Sequence, residues 1–171
     1  MTLLMATLAL IFPLAMVLAA LSDVLSMTIP NRLPACLVLA FVGSAAVGGM
    51  DLASVGSHSF VCATALLLTF GCFVAGWMGG GDAKLIAATA LWFGPTPHLL
   101  DYLFNAALFG GFLTLGLLAA RAVVAPTTGV AFLDRLLGRE TGVPYAVALG
   151  PAGLVAFASS PWANAAGAFF G

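Results

Sequence analysis

Two aspartates stand where carboxylates are rare. Asp82 closes the run Gly79-Gly80-Gly81-Asp82, followed by Ala83-Lys84, between apolar stretches at 60–77 and 85–93. Asp23 follows the apolar stretch 3–21. A charge at membrane depth costs a few kcal/mol on insertion scales, so its presence calls for a reason. Glycine permits positive φ and close backbone approach, and non-helical backbone at that depth survives only where protein or a wet cavity surrounds it. A pocket holding both acids could activate water. One carboxylate would take a proton from water while the other, protonated, polarised a carbonyl. Close carboxyls do not both ionise cheaply, so the pair would share one proton. Its two apparent constants would belong to the pair.

The elements that position these acids are membrane spans. The chain has 171 residues, 63% of them hydrophobic and only 6% charged, with a mean hydropathy of +1.17. Five basic and six acidic side chains cannot clothe so much apolar surface in water. The class is a polytopic, all-α membrane bundle of one domain, residues 1–171, embedded in the lipid bilayer. A net charge of −1 gives no sign of nucleic acid. The stretch 3–21 has no basic residue before it and no small-x-small site after it, so it reads as a span and not a cleaved signal. Cys36, Cys62 and Cys72 lie inside apolar runs without a C-x-x-C pair. They read as small core residues, forming neither a disulfide framework nor a metal site.

Six spans are expected, at 3–21, 33–49, 60–77, 83–93, 102–120 and 145–158, with Pro13 and Gly150-Pro151 as expected kinks. The fourth is short, about 17 Å at 1.5 Å per residue, and Gly94-Pro95-Thr96-Pro97 stops it. Arg32, Lys84, Arg121, Arg135 and Arg139 all fall on the odd-numbered turns. The positive-inside rule therefore places those turns in the cytoplasm and both termini outside. A fourth segment that merely dipped would break this one-sidedness. The same parity sets Asp23 and Asp82 at one membrane face. Between the last two spans, residues 121–143 form the longest hydrophilic segment. Phe132, Leu133, Leu136 and Leu137 share a helical face there. An interfacial helix and an ordinary solvated loop fit equally well.

Plainer readings compete at each position. Asp23 could be an interfacial charge or a helix cap, and Asp82 the N-cap of the fourth helix. Lys84 could snorkel to headgroups or tune the acids' charge, snorkelling being slightly favoured. Asp51 and Asp101 read as surface charges near span ends. His58 and His98, in the outer turns, lack a third ligand. Asp134 and Glu140 have basic neighbours and read as a solvated surface. Two function classes remain open on these grounds. One is an intramembrane aspartic peptidase. The other is a small transport or channel subunit in which Asp23 and Asp82 bind a proton or cation.

The local wording separates them. Gly79-Gly80-Gly81-Asp82-Ala83-Lys84-Leu85, with Ala90-Leu91-Trp92-Phe93-Gly94-Pro95 after it, resembles the second active-site motif of the type IV prepilin peptidases, which are G-x-G-D aspartic peptidases of bacterial inner membranes. Asp23 precedes Ile29-Pro30-Asn31 by the six-residue spacing of that family's first motif, and Val143-Pro144-Tyr145 opens the last span in a similar way. The resemblance implies that Asp23 and Asp82 are the catalytic pair and that Gly79 and Gly81 form the active-site turn. Lys84, Asn31 and Tyr145 are candidates for tuning the pair or touching substrate. It implies hydrolysis of the leader peptide from prepilins or pilin-like subunits at the cytoplasmic face, with no metal, no cofactor and no covalent intermediate. Two departures stand out. Val24-Leu25-Ser26-Met27-Thr28 carries no charge where family members often have basic residues. The cytoplasmic domain with paired C-x-x-C motifs is also missing, so methyltransferase activity is not expected. The chain resembles the short, peptidase-only branch associated with Flp-type (tight-adherence) pili. The Ile-Pro-Asn context argues against the more distant presenilin-like G-x-G-D peptidases.

Overall fold

The computed structural model describes residues 2–138 and 140–167. Their regular structure is entirely helical: α1 (Thr2–Ser26), α2 (Arg32–Gly48), α3 (Leu52–Val74), α4 (Gly80–Phe93), α5 (Pro97–Val123), α6 (Ala131–Leu137), α7 (Ala146–Ala158) and α8 (Pro161–Gly167). Three helices, α1, α3 and α5, are long and apolar enough to cross a membrane, and α7 with α8 makes a fourth if that pair, bent by 79°, is one span. α2, α4 and α7 are shorter.

α4 can be short because protein surrounds it. Its residues from Leu85 to Phe93 are buried almost without interruption, against α3, α2, α5 and α7. Fourteen residues reach only about 21 Å, but a helix sheathed by neighbours need not match the lipid. Trp92 donates to the Leu37 carbonyl (2.9 Å) and Trp162 to the Trp92 carbonyl (2.7 Å), fastening α2 and α8 to the end of α4 remote from Asp82. Phe12 of α1 packs at the same level, its ring 5.3 Å from Trp92 and stacked 4.9 Å from Phe157. α3 buries no residue fully and α5 only Tyr102 and Gly110. Their exposed Leu and Phe side chains are the outer, lipid-compatible flanks of the bundle.

Several helix ends differ from the apolar counts. α1 runs on to Ser26, so Asp23 lies in its last turns and not beyond it. α3 starts at Leu52 behind Asp51, whose side chain accepts from the Ser54 amide (3.2 Å). α5 starts at Pro97 behind Thr96. His58, His98 and Asp101 are therefore helical, where turns were expected. The reason is general: polar residues favour the first turn of a helix, whose amides need partners, and a hydropathy count discards that turn. At its other end α3 stops at Gly76 (φ 76°), with the Trp77 amide on the Cys72 carbonyl and the Gly76 amide on that of Phe73. This is the Schellman arrangement that glycine permits.

The hydrophilic segment does form a helix, α6, which rests on α1 and α5. Phe132, Leu136 and Leu137 are half-buried, but Leu133 is exposed and leaves the expected apolar face. Arg139 lies outside the described residues. Pro13 and Pro151 both sit inside their helices. The sharp bend comes later than expected, between α7 and α8, where Pro161 opens a new helix after Ser159-Ser160.

Candidate active site

Asp23 is 5% exposed. Its Oδ2 accepts from the Ala146 amide, the first of α7, at 2.9 Å. Sequence reasoning missed this donor because every residue but proline carries an amide. The structural cause lies one turn deeper in α7. A Cβ at Gly150 would stand 3.0 Å from the Met16 carbonyl oxygen and 3.1 Å from Ala20 Cβ, and one at Gly153 would strike Met16 Cε. Small residues let two membrane helices approach closely. Here they bring the start of α7, with the Ala146 amide and the partial positive charge of a helix N-terminus, onto the Asp23 carboxylate.

Asp82 is 9% exposed and sits in the first turn of α4, three residues past the N-cap position, which is Gly79 (φ −73°, ψ 146°). The N-cap reading of Asp82 is thus corrected. Its Oδ2 turns back toward the helix start, 3.0 Å from where a Gly79 Cβ would lie. Its Oδ1 finds no hydrogen-bond partner among the described residues. The carboxyls of Asp23 and Asp82 lie within electrostatic range of one another.

The glycine run serves approach and not positive φ. None of Gly79, Gly80 and Gly81 has φ above zero. A Cβ on Gly81 would lie 3.0 Å from Ile29 Cβ, so the two motifs touch through bare backbone. Lys84, expected to snorkel, instead donates from Nζ to Asn31 Oδ1 at 2.9 Å. The structure therefore brings together Asp23, Asp82, Gly79, Gly81, Lys84 and Asn31. Tyr145 is placed differently: its ring faces the Gly110 position of α5 and lines an open groove with Ala106, Ala107, Gly111 and Thr114.

The turn after Asp23 is firmly shaped. Met27 takes φ 54°, and its amide bonds to the Asp23 carbonyl (2.8 Å). The Ser22 hydroxyl donates to the Thr28 carbonyl (2.8 Å), and the Ser26 hydroxyl to that of Ser22 (2.7 Å). The uncharged interval 24–28 does have a cation beside it. Arg135 of α6 reaches the Leu25 carbonyl at 3.0 Å. Arg121 holds the rest of that segment through the carbonyls of Leu136 and Gly142, both at 2.8 Å.

The remaining candidates lie elsewhere. His58 Nδ1 is 2.7 Å from the Leu91 carbonyl, and its ring stacks on Phe41. His98 is 3.4 Å from the Ser159 hydroxyl. Both line a cavity walled by Trp92, Phe93 and Trp162, beside the C-terminal end of α4 and away from Asp82. Among the described residues no three His, Cys, Asp or Glu side chains group as metal ligands. The Ser54 hydroxyl and amide hold the Asp51 carboxyl below the usual carboxylate range, as befits a capping charge.

Fold and site together define an apolar helical membrane protein with two buried carboxyls from separate motifs gathered at one end. The sequence profile of the type IV leader peptidase family matches residues 10–115, which include both acids, and the chain belongs to that family. Comparison with curated proteins and with solved structures gave no match.

Proposed function

We propose that the protein is an aspartic endopeptidase that removes the leader from prepilins or pilin-like subunits. The observation that carries this reading is that Asp23 and Asp82, both buried and on different helices of a leader-peptidase chain, lie within electrostatic range of one another. In the reaction, one carboxylate takes a proton from water and the resulting hydroxide attacks the scissile carbonyl carbon. The other carboxyl gives its proton to the carbonyl oxygen. Collapse of the tetrahedral intermediate then expels the amine, which leaves with the proton first taken from water. Asp82 Oδ1 is buried and has no protein donor among the described residues, so a water or substrate group that enters the site can satisfy it. The Ala146 amide fixes Asp23 from behind.

The same proposal sets the protein in the bacterial inner membrane as a six-crossing chain with both termini outside and the acids at the cytoplasmic face. It assigns the chain to the short branch linked to Flp-type pili, acting only as a peptidase. A co-expressed prepilin should be processed by the native protein and left intact by Asp23→Asn or Asp82→Asn at equal accumulation. Asp51→Asn and Asp101→Asn should cleave nearly as the native protein does. Processing by Asp82→Asn would refute the aspartic mechanism, and proton or cation flux through liposomes would then be the next measurement.

A further inference from the structure

Asn31 occupies the N-cap position of α2 yet makes no side-chain cap. An N-cap oxygen ordinarily accepts from the second or third amide of its helix. Here neither is on offer. The Leu33 amide bonds to the Pro30 carbonyl (3.0 Å), and the third residue is Pro34, which has no N–H. Asn31 Oδ1 is left to another helix, and it takes Lys84 Nζ at 2.9 Å. The ammonium donor lends this bond its charge, and both residues are exposed, so its role is geometric more than energetic. Lys84 lies two residues beyond Asp82, and Asn31 two beyond Ile29, the residue that Gly81 touches. Two contacts therefore join the same two segments side by side.

Building on the peptidase reading above, we propose that Lys84 and Asn31 are positioning residues. Their bond clasps the turn that follows Asp23 to the first turn of α4 and so sets the separation of the two carboxyls. Neither side chain touches substrate in this assignment. The clasp acts on kcat and leaves substrate binding alone, because it governs how the acids meet and not what they grip.

The test is steady-state cleavage of a prepilin by purified, membrane-reconstituted protein. Lys84→Met and Asn31→Ala should each lower kcat about tenfold to a hundredfold, the scale on which ångström-level misplacement acts, with KM within about twofold of native by the same reasoning. The double variant should be no worse than either single one, since each removes the same bond. Asn31→Asp keeps an acceptor for Lys84 and should rescue most of the loss seen in Asn31→Ala. Losses that multiply in the double variant would overturn the clasp. So would a raised KM at native kcat, which marks substrate contact. If Lys84→Met fails to accumulate, the two Asn31 variants decide alone, equal loss in both refuting the proposal. Native cleavage that Asp82→Asn abolishes tests the peptidase reading separately, so either idea can fail without the other.

Discussion

Adding one methyl group at a time along Gly79-Gly80-Gly81 separates three kinds of contact. At Gly81 the new carbon would lie 3.0 Å from Ile29 Cβ, with Ile29 Cγ1 and Cδ1 at 3.5 and 3.6 Å. Comfortable carbon contacts begin near 3.5–4.0 Å, so roughly 0.5–1 Å must be found. Ile29 Cβ is bonded to the backbone and cannot rotate away, and Pro30 restricts the residue before it. The whole turn must therefore back off α4. Overpacking of this kind costs about 1–3 kcal/mol, and a shift near 1 Å between reacting groups costs on the order of a hundredfold in rate. At Gly80 the nearest atom is Phe73 Cε2, 3.3 Å away, on a ring that is 45% exposed and free to swing. At Gly79 it is Asp82 Oδ2 itself, 3.0 Å away. Gly81→Ala should thus lose about a hundredfold in processing per inserted protein. Gly79→Ala should lose about tenfold by turning the acid, and Gly80→Ala should stay near native. Ile29→Ala should not rescue Gly81→Ala, because its Cβ remains. Full activity in Gly81→Ala, or rescue by Ile29→Ala, would refute the claim that backbone contact sets the site.

Two further outcomes follow from the turns. The Thr128 hydroxyl (2.7 Å) and amide (2.6 Å), with the Gly129 amide (3.3 Å), bond to Asp134 and hold its carboxyl below the usual carboxylate range. A lowered folded-state pKa stabilises this turn fully above the unfolded value, about 3.9, and that stabilisation goes as pH falls through the folded one. Protection factors at Thr128 and Gly129 should be full at neutral pH, begin to fall only below about pH 4 as Asp134 protonates, and be absent throughout in Asp134→Asn. Protection that survives Asp134→Asn would contradict this. For topology, single cysteines at Leu52 and Pro95, without Cys36, Cys62 and Cys72, should react with an impermeant reagent from outside, and one at Thr127 only from inside. Labelling of Pro95 from the inner face alone would make α4 re-entrant.

The two motifs were legible because charge is scarce. In a chain with six carboxylates, a glycine run ending in aspartate cannot be background. The six apolar runs also correspond to α1–α5 and α7, each displaced by a few residues. The displacements share a cause, polar residues at helix ends that hydropathy assigns to loops: Asp51 to His58 opening α3, Pro97 to Asp101 opening α5, and Ser22 to Ser26 closing α1. Hidden altogether were contacts that no side-chain pattern encodes. The Ala146 amide is one. The Ile29 contact that requires Gly81 is another, since it joins residues fifty-two apart in sequence. Of the two uses open to the glycine run, close approach and positive φ, the second falls instead at Gly76, because the end of α3 needs it and the start of α4 does not. Asn31 shows the same limit differently. Its type signals a cap, and only the pairing of Leu33 with Pro30 reveals that the cap has no amide to hold.

The depth at which the acids meet has a cause that sequence spacing helps to state. The Thr89 hydroxyl points to Met16 Sδ at 3.7 Å, joining the interiors of α4 and α1. Asp82 precedes Thr89 by seven residues and Asp23 follows Met16 by seven. Seven residues are close to two helical turns, so each acid lies on the same face as its partner residue, about 10 Å further along the axis. Since α1 enters this level from one direction and α4 leaves it in the other, a contact between Met16 and Thr89 brings Asp23 and Asp82 level. Met16 also carries the other half of the arrangement, because its carbonyl lies under Gly150 and its methyl under Gly153. A single methionine thus fixes α4 and α7 against α1 at one depth. Two turns above it, the same three helices supply the second carboxyl, the amide on Asp23, and Asp23 itself.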